Sequence, residues 1–357
     1  MKKGRVEYLD FLKGICILLV VFCHYCMMPA DTVLGNIVMC AAWGAVPCFF
    51  LVSGGLMHAS SCWGWKKYLK KIVRTYSVLC IWKVIYFIVY SLNIDVTCSK
   101  AELIQYIFFF GSLDAVNTGV MWFMEAYLLV CIFLPVSYFL FKEKKNGRRA
   151  LLFVLIVLFA NEYLIRAINF VLLHGAQHFG RNVLQISIGE IIPYSKYGNM
   201  MFFFLLGAFL FEYRGSITTY LKKRKWIPPI LSIAGIVMFM LVKYIENGTW
   251  RWANTYIDNG YCRIAVVVLA VGFYFIALLV PENKLTHWMA VYVGRNTQGI
   301  YYMHYIMLAM ITLHFSDIYA PYVSFGFNVI RTLVITLICM LISMGLKKIP
   351  IVRHIVG

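Results

Sequence analysis

Apolar residues fall in long runs near 11–28, 33–57, 76–92, 120–141, 150–172, 198–213, 226–242, 264–280, 297–314 and 327–346, bounded by Gly, Pro, Asn or clusters of charge. Each run approaches the ~20 residues that a helix needs to cross the hydrocarbon core of a bilayer. The pattern predicts an all-α, polytopic integral membrane bundle of about ten transmembrane helices. Residues 1–357 are expected to form a single transmembrane domain with no soluble extension.

Composition agrees, with 62% hydrophobic and 13% charged residues and a mean hydropathy of +0.77. Soluble domains carry nearly twice that share of charge. The formal net charge of +18 raises the question of a nucleic-acid partner, which the positions of the cations answer. Lys2, Lys3 and Arg5, then Lys66 to Arg74, Lys142 to Arg149, Arg214 to Lys225, Lys284 with Arg295, and Lys347 to Arg353 fall in alternate gaps between the runs. The intervening segments hold fewer: Lys100, Arg166, Arg181, Lys196, Lys243, Arg251, Arg263 and Arg331. By the positive-inside rule both termini are cytoplasmic. The charge is thereby explained with no nucleic acid.

The first run contains Lys13 and lacks a small-x-small cleavage site, so it reads as a retained span. Most cysteines lie within spans as small apolar fillers, whereas Cys98 and Cys262 fall in outer loops where one disulfide can form. Cys23 and Cys26 bracket His24, but no second cluster completes a zinc site, and no metal is expected. Asn247-Gly248-Thr249 is an acceptor sequence in a predicted outer loop.

Polar groups at membrane depth carry the functional signal, because each costs several kcal/mol unless it faces a partner or a wet cavity. Lys13 and His24 are eleven residues apart, which places them on one helix face about 16 Å apart. The plain alternative is a snorkelling lysine and a carbonyl-capped histidine. Phe49 to Leu56 carries Ser53-Gly54-Gly55, which suits close helix packing or close approach of a ligand. Lys66 to Arg74 reads as a basic amphipathic stretch at the cytoplasmic surface, either an interfacial helix on anionic lipid or a ligand site. Trp122-Phe123-Met124-Glu125 puts a carboxylate two turns below the outer face beside an aromatic suited to the interfacial belt. Asn296 to His304 adds Tyr301 and a second buried histidine, His304.

These elements resemble the acyltransferase 3 family of membrane acyltransferases, which includes fucose 4-O-acetylase-like and surface-polysaccharide O-acetyltransferases. Glu7 to Ile15 followed by His24 resembles its Arg/Lys-x10-His signature, Phe50 to Gly54 its Phe-x-x-Ser-Gly element, and Asn296 to His304 its Asn-Ser-x-x-Ile-Tyr-x-x-His stretch. The family's Arg-x-x-Arg appears here as Lys71-x-x-Arg74, and Glu125 stands two residues earlier than the carboxylate of related enzymes.

The resemblance implies transfer of an acyl group, acetyl in the first instance, from cytosolic acyl-CoA to a hydroxyl of a lipid-linked or extracytoplasmic glycan at a bacterial cytoplasmic membrane. Acyl-CoA is then a co-substrate and no cofactor is permanently bound. His24 is the expected catalytic residue, as general base or as acyl acceptor, with Glu125 orienting it; Lys13, Lys71, Arg74 and Ser53 receive the donor. Trp122, Tyr301 and His304 are expected to be substrate-facing or structural. The aromatic and polar loop from Trp250 to Tyr261 suits a sugar or the interfacial belt, and the segment from Arg166 to Asn199 suits a lid or re-entrant helix. The competing reading is a transporter of a small solute or acyl carrier, which would need paired broken helices in its two halves. A membrane scaffold would leave the buried polar residues without a purpose.

Overall fold

The computed structural model describes residues 6–25, 33–60, 63–178, 197–247, 260–319, 324–350 and 352–356. It contains helices α1 (Glu7–Tyr25), α2 (Val33–Ala42), α3 (Ala45–His58), α4 (Trp65–Ser91), α5 (Lys100–Phe108), α6 (Trp122–Lys142), α7 (Asn146–Phe159) and α8 (Ile165–His178). After these come α9 (Gly198–Glu212), α10 (Arg214–Lys223), α11 (Ile227–Asn247), α12 (Ile264–Leu279), α13 (Lys284–Trp288), α14 (Thr297–Tyr319) and α15 (Phe325–Leu346). No strand is present among the described residues, where Leu113 and Val116 form an isolated bridge.

Every predicted run overlies a helix, and among the described residues seven helices are long and apolar enough to span a membrane alone, with two bent pairs raising the number to nine. The segments α9 and α12 have only 15 and 16 residues, below the ~20 of a straight crossing. Each belongs to a bent pair, α9 turning 75° into α10 and α12 turning 119° into the helical segment that begins at Lys284.

The outward faces are lipid-like. On α15, Ile330, Leu333, Leu337 and Leu341 are exposed at helical spacing, while Arg331, Thr332 and Thr336 of the same helix are buried. Apolar out and polar in inverts the pattern of a soluble helix, and a bilayer stabilises it.

Inside, small residues let helices approach. A Cβ on Gly54 of α3 would stand 1.7 Å from the Phe204 carbonyl oxygen of α9, and one on Gly207 of α9 would stand 2.0 Å from that of Leu51. The Ser53-Gly54-Gly55 element is therefore explained at its glycines by helix packing. The helix α1 lies deep in the bundle, packed against α3, α12, α14 and α15.

Two expectations change, and one outer cation gains a partner. The basic stretch from Lys66 is not a separate interfacial helix but the start of α4, whose 27 residues span about 40 Å and so overhang a ~30 Å core. Cys98 and Cys262 are both free. Arg331, expected among the outer charges, is buried in α15 and donates to the Tyr25 carbonyl at 3.0 Å, capping the last turn of α1. Of the acceptor sequence, Asn247 ends α11, while Gly248 and Thr249, most of the loop from Trp250, and residues 179–196 lie outside the described residues.

Candidate functional site

The α1 helix carries Lys13 at one end and His24 at the other, as its spacing requires. His24 is exposed although it sits among aromatic rings, His304 at 5.4 Å and Tyr305 at 5.2 Å between centroids. His304 on α14 is fully buried. Its Nδ1 lies 3.1 Å from the Ile300 carbonyl oxygen, a contact that only a protonated Nδ1 satisfies and that leaves the lone pair on Nε2. That Nε2 is buried without a hydrogen-bond partner. The Tyr25 hydroxyl donates to the His304 carbonyl and so clamps α1 to α14 beside the two imidazoles. The Tyr301 hydroxyl donates to the Val120 carbonyl and its ring lies 5.4 Å from Phe123, which ties α14 to the start of α6. Trp122 is half-buried against Tyr261 at 5.3 Å.

Glu125 is placed differently from the orienting role expected of it. Its Oε1 lies 3.1 Å from Nζ of Lys83, a lysine in the middle of α4 that is 1% exposed. Glu125 makes no hydrogen bond to His24. The same ammonium faces the rings of Tyr106 and Phe110 at 5.4 and 5.7 Å, so the pair is enclosed by aromatics. The sequence showed Lys83 only as a charge inside an apolar run, and nothing local named its partner.

The residues expected to receive the donor divide into three places. Lys71 stands over the ring of Tyr127 of α6 at 5.8 Å, and Ser53 lies on α3, which packs against α6. Arg74, one turn on from Lys71, is exposed and donates to the His354 carbonyl at 3.2 Å. Two turns deeper, Trp82 donates to the Ile355 carbonyl at 2.8 Å and stacks on Tyr302 at 4.9 Å. Lys13 instead bonds Asp10 at 2.6 Å, and Asp10 also faces Arg295 at 3.7 Å. Among the described residues no group of three or more His, Cys, Asp or Glu is arranged to hold a metal ion.

Long apolar helices, an inverted amphipathic face and buried polar residues along α1, α4, α6 and α14 define a polytopic helical membrane protein. The acyltransferase domain of the acyltransferase 3 family matches residues 6–346, and the chain belongs to that family. No curated protein and no solved structure matches it. The protein is therefore a membrane acyltransferase.

Proposed function

We propose that the protein transfers an acyl group, acetyl in the first instance, from acyl-CoA to a hydroxyl of a lipid-linked or extracytoplasmic glycan, with His24 at the reacting centre. The observation that carries this reading is the imidazole pair, with His24 accessible and His304 buried behind it. In the direct route a ring nitrogen of His24 takes the acceptor's hydroxyl proton as the oxygen attacks the thioester carbonyl. The C–O bond forms, the C–S bond breaks, and the CoA thiolate leaves and is protonated. The His24 imidazolium then needs an acceptor for its second N–H, and the lone pair on Nε2 of His304 supplies one. In the alternative route His24 itself accepts the acyl group before passing it to the hydroxyl.

By the alternation of basic segments, the end of the bundle holding Lys13, Arg295 and Lys347 faces the cytosol, the source of acyl-CoA. A pantetheine arm laid along α1 carries the thioester from there toward His24. Such a protein works in a bacterial cytoplasmic membrane.

The two bent pairs are the one observation that favours a transporter. Their breaks fall at Tyr213 and between Leu279 and Lys284, both at the basic end, whereas a transporter breaks its helices at the midplane, around the substrate. The test is turnover of acetyl-CoA by purified protein in detergent, by hydrolysis or by transfer to a supplied sugar. His24→Ala is expected to reduce it by at least ~10²–10⁴-fold, and His304→Gln by less, with a displaced pH profile. Equal turnover by wild type and His24→Ala, or His24-dependent uptake of a solute by liposomes without any turnover, overturns the proposal.

A further inference from the structure

At the basic end of the bundle, three segments far apart in sequence meet at the turn that carries Arg295. Asp10 accepts from Lys13 at 2.6 Å and faces Arg295 at 3.7 Å. Lys347, just past the end of α15, donates to the Arg295 carbonyl and to Oδ1 of Asn296, each at 2.9 Å. Lys13 and Arg295 thus flank a single acid, and Lys347 holds the turn that carries Arg295. The nearest other carboxylate on α1, Glu7, is engaged by His287 at 2.8 Å.

The backbone that presents Arg295 is not ordinary helix. A π-helical turn at Met289–Val293 runs into a 3-10 turn at Gly294–Asn296, and only then does α14 begin. A Cβ on Gly294 would lie 1.9 Å from the Asp10 carbonyl oxygen, so the turn is pressed onto α1 by backbone contact. Arg295 is therefore placed beside Lys13 by the chain itself, independently of its long ion pair. The Lys13 and Arg295 side chains remain 23% and 35% exposed, within reach of a ligand from the cytosol. Lys13 and Arg295 face one another across Asp10.

We infer that Arg295 and Lys347, together with Lys13, form the site that receives the phosphate groups at the nucleotide end of the acyl donor. The inference rests on the reading of acyl-CoA as the donor and names residues that the sequence did not single out. The arginine offers a planar fork suited to phosphate oxygens and the two lysines offer point charges, a combination that matches a phosphorylated nucleotide. His24 lies eleven residues beyond Lys13 on the same helix, roughly 16 Å away, so the thioester end of a donor anchored here points at the imidazole pair.

The test compares two acetyl donors, acetyl-CoA and the phosphate-free S-acetyl-N-acetylcysteamine, on purified wild-type protein and on the Arg295→Gln/Lys347→Gln variant. The ratio of kcat/KM for acetyl-CoA over kcat/KM for the phosphate-free thioester is expected to fall at least tenfold in the variant. Its dependence on salt should weaken as well. An unchanged ratio, with both donors impaired alike, makes the residues structural and overturns the inference while leaving the donor reading intact. Should the double variant fail to fold, Arg295→Lys alone, which keeps the charge and loses the fork, must lower the same ratio; no change overturns the inference. If the variant loses only its retention of phosphatidylglycerol, with the donor ratio unmoved, the cations serve lipid headgroups and the inference falls. Wild-type protein that turns over neither donor refutes the donor reading first.

Discussion

Replacing Lys83 with Met leaves the Glu125 carboxylate in a nearly closed aromatic pocket without its counter-ion. At 3.1 Å and an effective dielectric of about 20, the direct attraction between the two charges is about 5 kcal/mol. Desolvation of both ions offsets much of this in the intact pair, so the pair adds little net stability. Removing one partner exposes the penalty on the other, and the expected loss for Lys83→Met is about 3–5 kcal/mol. Glu125→Gln should cost less, about 1.5–3 kcal/mol, because Lys83 keeps the Gly111 carbonyl at 3.5 Å and its two flanking rings. The double variant, with neither charge, should return close to wild type. The assay is unfolding in mixed micelles by titration with a denaturing detergent, followed by circular dichroism on all four proteins. Single losses that simply add in the double variant refute a coupled buried pair. The same set decides what Glu125 does. Acyl transfer retained by the folded double variant confines Glu125 to holding α6 against α4; its loss in a folded double variant assigns the carboxylate to the chemistry.

Two further outcomes are expected. Gly54→Ala drives a Cβ into the Phe204 carbonyl, so it should separate α3 from α9 and abolish a monodisperse peak in size-exclusion chromatography. Gly64→Ala, where the added carbon meets ordinary contact distance, should not, and equal behaviour of the two refutes the packing argument. Hydrogen bonds from the backbone and side chain of Ser99 hold the Glu102 carboxyl below its usual value of 4.5. The lowered value stabilises the capped start of α5 above about pH 4.5, and the stabilisation is lost as the pH falls through the folded value. The protection of α5 amides against exchange, corrected for the intrinsic exchange rate at each pH, should fall on acidification in wild type but not in Glu102→Gln.

What the sequence revealed and what it concealed follow from the range of each interaction. The shared face of Lys13 and His24 was legible because helix geometry is local. The contact of His24 with His304 was not, since it depends on how α1 and α14 cross. The same holds for Lys83 with Glu125, where the pattern gave two buried charges and no means of pairing them. Hydropathy also misjudged the start of α4: lysines interrupt an apolar run without interrupting a helix, for which their propensity is high. Hydropathy registers apolar length and is blind to the bends that follow α9 and α12. Ser53-Gly54-Gly55 was visible as a small-residue element, but only the facing backbone of Phe204 showed that its glycines serve packing.

The Tyr25 hydroxyl and the His304 carbonyl that it reaches are separated by 279 residues. At a synthesis rate of ~5–20 residues per second, α1 waits roughly 14–56 s for its partner to emerge. During that interval the first helix sits in or beside the bilayer without α14, α15 or the Arg295 turn. The ion pair between Asp10 and Lys13 spans a single helical turn and so forms as soon as α1 does, giving the charged end of the newborn helix a local partner. Arg295 and Lys347 are added only when the last helices dock. The order of synthesis thereby leaves this basic end of the bundle incomplete until α14 has brought His304 beside His24 at the other end.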